Sequence, residues 1–182
     1  MYHSDHEKSR AAWAKVASFC EAFGVPANGV ELSDAFNLLQ VARRIRDDVR
    51  KGRAAGEAIR FNIAGGTRLM SSAALLVCVL EGIPTTYVHD DTGEEIALPL
   101  LRMNYADHLT PRQREILRFL VDNAGASHSE SSLAKALRVH KTTMNHHVRL
   151  LVKKGVVEVF PNPRDSRAYV VRPAPGAELL VG

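Results

Sequence analysis

The 182-residue chain is 46% apolar and carries 24 Lys and Arg against 20 Asp and Glu. That apolar share is ordinary for a globular protein and is enough to build real cores, in one domain or two small ones. No run approaches the ~18 apolar residues of a membrane span, and no charged-then-apolar leader precedes Trp13, so a soluble cytoplasmic protein without membrane partners is expected.

In chain order, Ser4-Asp5-His6-Glu7 reads as a helix start. The helix continues to about Phe23, with Trp13, Val16, Ala17 and Cys20 on one face, and Gly24 and Pro26 end it. Val30-Glu31-Leu32 is a short strand. Ala35 to Lys51 is a second helix, with Phe36, Leu39, Ile45 and Val49 on its apolar face and Arg43, Arg44, Arg46 and Arg50 largely exposed. A loop over 52–56 leads to a strand over 58–63. Ala64-Gly65-Gly66-Thr67-Arg68 then turns into an apolar helix from Leu69 to Leu80, closed by Gly82. Thr85-Thr86-Tyr87-Val88 and Glu95-Ile96-Ala97-Leu98 form a hairpin around Asp90-Asp91-Thr92-Gly93. Cys20 and Cys78 each lie in an apolar helical pattern and are expected to pack as small hydrophobes in a reducing compartment.

The strand–Gly-Gly-Thr-Arg–helix junction is the chemically interesting part of this half. Paired glycines let backbone N–H groups approach a ligand without a Cβ in the way, and a helix N-terminus favours an anion. Thr67 adds a hydroxyl and Arg68 a cation. The junction follows the carboxyl end of a strand, where open α/β sheets hold ligands.

Asn104 to Leu109 marks a domain junction. Thr110-Pro111-Arg112-Gln113 then opens a helix, with Thr110 as cap, Gln113 reaching back to it and Pro111 at the first helical position. Ile116, Leu117, Leu120 and Val121 form its apolar face. A second helix runs from about Ser131 through Leu137 and a third from about Lys141 to Lys153. Arg138-Val139-His140 between them is turn length for a helix-turn-helix. Two β-rich runs, 156–160 and 168–171, are joined by Pro161-Asn162-Pro163-Arg164-Asp165-Ser166-Arg167, which completes a winged helix.

Met144, Val148 and Leu151 at i, i+4 and i+7 define the buried face of the third helix. Lys141, Thr142, Thr143, Asn145, His146 and Arg149 are left for DNA, with Asn145 suited to adenine and the threonines to phosphate or a thymine methyl. In the wing, Asp165 is expected to bond Arg167, leaving Arg164 for a minor groove or a phosphate. Charge agrees with this division. Residues 107–182 hold 12 Lys and Arg against 7 Asp and Glu, a net of +5, whereas residues 1–106 hold 12 against 13, a net of −1. The excess is modest, so affinity is expected to depend on two copies.

Residues 107–182 resemble the MarR-type winged-helix regulators. The resemblance rests on Leu109-Thr110, Gln113, Ile116-Leu117, Leu133-Ala134, Lys141-Thr142-Thr143, Gly155-Val156-Val157 and Asp165-x-Arg167. It continues through Pro173-Ala174-Pro175-Gly176, where Ala174 stands in place of the usual Thr. The run from Asn62 to Arg68, its apolar helix, Tyr87-Val88 with the 90–94 turn and Leu98-Pro99 resemble the CARF domain, the CRISPR-associated Rossmann-fold sensor. The pairing resembles CRISPR-associated and related archaeal transcriptional regulators.

The CARF resemblance implies a homodimer with a cyclic oligoadenylate or related nucleotide lying across its twofold axis. It also implies Gly65, Gly66, Thr67 and Arg68 as the ligand loop, with Asn62 lining the approach. Such domains begin with an apolar strand. Only Met1-Tyr2-His3 precedes the first helix, so that strand is expected to be lost or to start upstream. Ser4, Asp5 and His6 then stand where the second ligand loop belongs.

The expected fold class is therefore α/β: a truncated Rossmann-like sensor over 1–104, with a parallel sheet and C-terminal hairpin, then a winged helix-turn-helix domain over 105–182. The expected function is a ligand-responsive dimeric regulator of double-stranded DNA, with no catalytic residues, resident cofactor or metal. Two other readings stand beside it. A ring nuclease would use Thr67, Arg68 and His6 to cleave its cyclic ligand, and a constitutive DNA-binding dimer would keep only a degenerate sensor. His146 and His147 project about 100° apart on a helix and are poorly placed to share an ion.

Overall fold

The computed structural model describes residues 1–89, 91–99, 108–162 and 165–181, with 165–168 described by backbone alone. The chain divides into two compact units, Met1–Met103 and Asn104–Gly182. Within the described residues of the first unit the order is β1 (Tyr2–Ser4), α1 (Glu7–Ala22), β2 (Val30–Leu32), α2 (Leu38–Ala54), β3 (Phe61–Asn62), α3 (Arg68–Glu81), β4 (Thr85–Val88) and β5 (Glu95–Ala97).

β1 pairs parallel with β2, Tyr2 opposite Val30. β3 pairs parallel with β4, which pairs antiparallel with β5. The alternation of helix and strand thus yields the expected α/β unit with parallel pairs and a C-terminal hairpin. It corrects one expectation, because the first strand is present. Tyr2–Ser4 is short but hydrogen-bonded, and the Tyr2 ring stacks on Phe61 at 6.1 Å, drawing β1 toward β3.

The helices obey their caps. The Asn37 side chain accepts from the Gln40 N–H, so α2 starts at Leu38 rather than near Ala35. Phe36 is left outside the helix and 76% exposed instead of joining its apolar face. Val41, Ala42, Ile45 and Val49 are buried, and α2 packs along α3 through Met70, Ala73, Ala74, Val77 and Cys78. Gly82 ends α3 at φ +62°, the left-handed cap that a glycine adopts without Cβ strain.

Arg46 departs from the expected exposed arginine face. It is buried, and its Nε donates to Glu81 Oε1 at 2.8 Å, while Arg53 Nη1 reaches Oε2 of the same carboxylate at 2.9 Å. Both cysteines are free thiols, and Cys78 is buried.

The second unit comprises α4 (Pro111–Asp122), α5 (Glu130–Ala136), α6 (Lys141–Lys153), β6 (Val157–Asn162), β7 (Asp165–Pro173) and a 3-10 helix (Ala177–Leu180). The capping box forms as read, with Thr110 and Gln113 exchanging side-chain and backbone bonds and Pro111 inside the first turn. Ile116, Leu117, Leu120, Leu133, Met144 and Leu151 are fully buried and make one core with Val171 of the hairpin. Arg118 closes the unit by donating from Nε and Nη2 to the Val181 carbonyl at 3.2 and 3.1 Å. The tight turn between α5 and α6 is made at Arg138, whose φ of +52° is left-handed without a glycine, a strained choice for a side-chain-bearing residue.

Candidate nucleic-acid interface and ligand loop

The face of α6 opposite the core carries the basic and polar residues. Met144, Val148 and Leu151 point inward, whereas Lys141, Thr142, Thr143, His146 and Arg149 are exposed. Asn145 is placed differently from the others. It is half-buried, and its Nδ2 donates to Glu130 Oε2 of α5 at 2.8 Å, so part of its hydrogen-bonding capacity is spent inside the unit. The sequence pattern missed this bond because Glu130 and Asn145 belong to different helices.

His147, two residues on, is half-buried beside His146, their ring centroids 5.9 Å apart. Burial first, then the charges of His146 and Arg112, hold its imidazole below the ordinary value. Among the described residues no group of three His, Cys, Asp or Glu is placed to hold a metal ion.

β6 and β7 form the wing, with Val159 opposite Val171 and Phe160 opposite Val170. Arg164 lies outside the described residues. Arg167 belongs to β7 by its backbone, but its side chain and that of Asp165 lie outside them as well. What the hairpin does display is Phe160 and Tyr169, both exposed, with the Arg172 guanidinium 5.7 Å from the Phe160 ring centroid. The Phe160 face beside a cation is a surface that the basic-residue pattern alone did not pick out, and the register puts Tyr169 on the other face of the hairpin.

In the first unit β3 leads straight into the glycine loop. Gly65 and Gly66 adopt φ of +87° and +76°, and a Cβ on Gly66 would stand 3.3 Å from Met70 Cε. Asn62 Oδ1 accepts from the Ala64 N–H at 2.9 Å. Ser71 Oγ, on the first turn of α3, donates to the carbonyls of Ile63 at 2.9 Å and Gly65 at 3.1 Å, holding the loop against the helix. Thr67 Oγ1 caps α3 by accepting from the Met70 N–H at 3.1 Å and donates to the Ala35 carbonyl at 3.4 Å. Its hydroxyl is thus committed to loop architecture, while Arg68 is exposed.

A cavity of about 400 Å³ adjoins this loop. Asn62, Gly65 and Gly66 line it together with Tyr2, Phe61, Ile45 and Met70, whereas Thr67 and Arg68 lie outside its lining. Ser4, Asp5 and His6 are also outside it. Ser4 is buried and its N–H donates to Ser9 Oγ at 3.0 Å. His6 caps α1, its Nδ1 accepting from the Lys8 N–H at 3.3 Å, and Asp5 is exposed. The two loops therefore follow β1 and β3, each one strand of a parallel pair, but only the glycine loop meets the cavity. The Thr67 bond to the Ala35 carbonyl ties the glycine loop to the segment before α2, on which Phe36 is exposed.

Among the described residues no helix is long and apolar enough to cross a membrane. No curated protein matches the chain. Solved structures similar to it include the Staphylococcus aureus MepR–DNA complex, at 22% identity and a TM-score of 0.39, over 42% of this chain and 61% of that one. The reduced form of Escherichia coli MarR is similar at 28% identity and 0.39, over 42% and 55%, and the wild-type apo form at 31% and 0.37, over 41% and 58%. The chain thus spans a little over half the length of the structures it matches. Residues 109–159 match a helix-turn-helix domain family, and residues 9–101 match the family described as CRISPR-associated protein (Cas_APE2256), the CARF-type half of the chain. Spanning the glycine loop, the cavity-lining helices and both strands of the hairpin, that second match covers half of the sequence, and the chain belongs to the CRISPR-associated Cas_APE2256 family.

Proposed function

We propose that the protein is a transcription regulator that binds double-stranded DNA as a dimer and adjusts that binding to a nucleotide, a cyclic oligoadenylate or a relative of it. The observation that carries the DNA half is the solvent-facing side of α6. A helix held by three buried apolar residues in a helix-turn-helix presents two cations, two hydroxyls and an imidazole outward from its first two and a half turns. The +5 net charge of residues 107–182 supports the same reading, because phosphate contacts supply most of the sequence-independent affinity.

The ligand half is supported by the glycine loop and its neighbours. Gly65 and Gly66 give a bare backbone lining a cavity of about 400 Å³, and exposed Arg68 adds a positive charge at the start of α3. Thr67 serves this site by fixing the loop rather than as a reacting group, and no catalytic residue is assigned.

Gel-shift titration against genomic operator fragments at several salt concentrations tests the DNA half. The Lys141→Ala/Arg149→Ala double variant is expected to bind more weakly and to flatten the dependence of log K on log salt by roughly 0.9 per lost phosphate contact. An unchanged salt slope in a folded double variant sinks the assignment of α6 as the recognition helix.

A further inference from the structure

We propose that Glu130, at the start of α5, is a positioning residue for base recognition: its carboxylate fixes which way the Asn145 amide faces and makes Asn145 a reader of adenine against guanine. This rests on the reading of α6 as the recognition helix. Asn145 follows inward-pointing Met144 by one residue, about 100° around the helix, and so sits where the buried face meets the outward one. Lys141 and Arg149 lie four residues to either side, and the three form one row along α6 with the amide in the middle. Two cations suited to phosphate thus bracket one side chain suited to a base.

An unconstrained asparagine reads a base edge ambiguously. Its amide has two N–H donors on one side and an acceptor oxygen on the other, and a half-turn about the last side-chain bond exchanges them. Glu130 removes the ambiguity. A carboxylate only accepts, so it must meet the amide nitrogen, and Nδ2 donates to Oε2 at 2.8 Å. Turning the amide over would set Oδ1 against Oε2, two acceptors with no proton between them. One N–H and Oδ1 are left, in a fixed order. Adenine offers the complementary pair in the major groove, its N7 acceptor beside its N6 donor. Guanine offers two acceptors, N7 and O6, one of which would face Oδ1.

Glu130 is itself held in place. Ser129 caps α5 by accepting from the Ser132 N–H at 3.1 Å, which sets Glu130 as the first residue of the helix. One residue earlier, the His128 carbonyl accepts from the Val171 N–H of β7 at 2.7 Å. Glu130 and Asn145 are both half-buried, which narrows their rotamers. Anchoring of this kind lets a base-reading side chain keep one geometry.

Selection from random-sequence duplexes with the full chain, then titration of the selected site and its single-base variants, tests the assignment. The wild type is expected to prefer A·T over G·C at one position by roughly 5- to 150-fold, and Asn145→Ala to lose that preference. Gln at position 130 either accepts from Nδ2 or donates to Oδ1, so Glu130→Gln should cut the preference to a few-fold and leave those at other positions. Glu130→Ala, which leaves the amide without its partner, should do the same. The preference is a ratio between duplexes of equal length and charge, so a general loss of affinity cancels.

Glu130→Gln/Asn145→Ala should match Asn145→Ala alone, as a residue acting only through Asn145 requires. A preference lost in Asn145→Ala but kept in full by folded Glu130→Gln and Glu130→Ala overturns the positioning and leaves α6 standing as the recognition helix. Preferences untouched by Asn145→Ala overturn it as well. Failure of the wild type to select any sequence overturns both readings together.

Discussion

The ammonium of Lys154, just past the end of α6, donates to Oε1 of Gln113 in the first turn of α4 at 2.8 Å, and also to the His108 carbonyl. The same Oε1 accepts from the Thr110 N–H at 3.1 Å, so the capping box of α4 is completed by the residue that ends the recognition helix. Gln113 is only 1% exposed, and its loss takes the acceptor from the Thr110 N–H and leaves Lys154 with the His108 carbonyl. We predict that Gln113→Ala destabilises the second unit by about 1–3 kcal/mol, the cost of leaving buried donors unmade. Lys154→Met should cost less, because solvent can replace its bond. Chemical denaturation followed by circular dichroism separates the two, and equal effects would contradict the shared role of Oε1.

Glu81 collects three of the arginines of α2. Arg46 is buried and bonded to it at 2.8 Å, Arg53 lies at 2.9 Å and Arg50 at 3.9 Å. Removing one partner of a buried pair leaves a charge without its counter-ion, at a cost of about 3–5 kcal/mol. Glu81→Ala is therefore expected to lower the melting temperature sharply, and Arg46→Met/Glu81→Leu to recover much of the loss. A double variant no more stable than Glu81→Ala would show that the outer arginines, not Arg46, hold the two helices together.

His147 gives the second unit a pH dependence of known sign. Its folded pKa is depressed, chiefly by burial, from an ordinary 6.5. Above 6.5 it is neutral in both states and its contribution is complete. Below 6.5 the unfolded chain takes up the proton first, so stability drains as pH falls toward the lower folded value. The wild type should therefore lose more stability between pH 7 and pH 5 than His147→Gln does. Parallel pH profiles of the pair would dismiss the histidine as the source.

The glycine loop separates ligand effects from folding effects. Arg68 is exposed, so Arg68→Ala should leave the apo melting temperature unchanged and reduce whatever stabilisation the proposed nucleotide confers, ~2.7 kcal/mol for any native-state ligand at 100 times its dissociation constant. Gly66→Ala should do the reverse as well as weaken binding. Its φ of +76° and the Met70 Cε at 3.3 Å from the added methyl make the apo protein itself less stable. Thermal-shift titration reads both, and an apo loss in Arg68→Ala would contradict its exposed placement.

Helices with a cap and a period were legible before any coordinates. Thr110 with Gln113 and Gly82 each mark a boundary within a residue or two, because the caps act through bonds three or four residues long, whereas Thr67, read as a ligand hydroxyl, turns out to cap α3. What escaped depends on distant partners. The burial of Arg46 needs Glu81, 35 residues away, and the diversion of Asn145 needs Glu130 on another helix. β1 escaped because three residues carry no periodicity, and their identity as a strand lies in Val30–Leu32. Phe36 escaped because a helix started at Asp34 or Asn37 puts it on opposite sides of the boundary, and only the Asn37 side-chain bond to Gln40 decides between them.

A helix without a buried residue also has little to lose by opening. α1 is joined to its unit by few contacts, among them the Trp13 ring over His3 and Gly29 and the Arg10–Glu31 ion pair, so it is a weak cooperative segment of the fold. Amide protons of residues 7–22 are therefore expected to exchange faster than those of α3, whose inner face is buried. Asp5 and His6, which join β1 to α1, share the fate of the elements they connect.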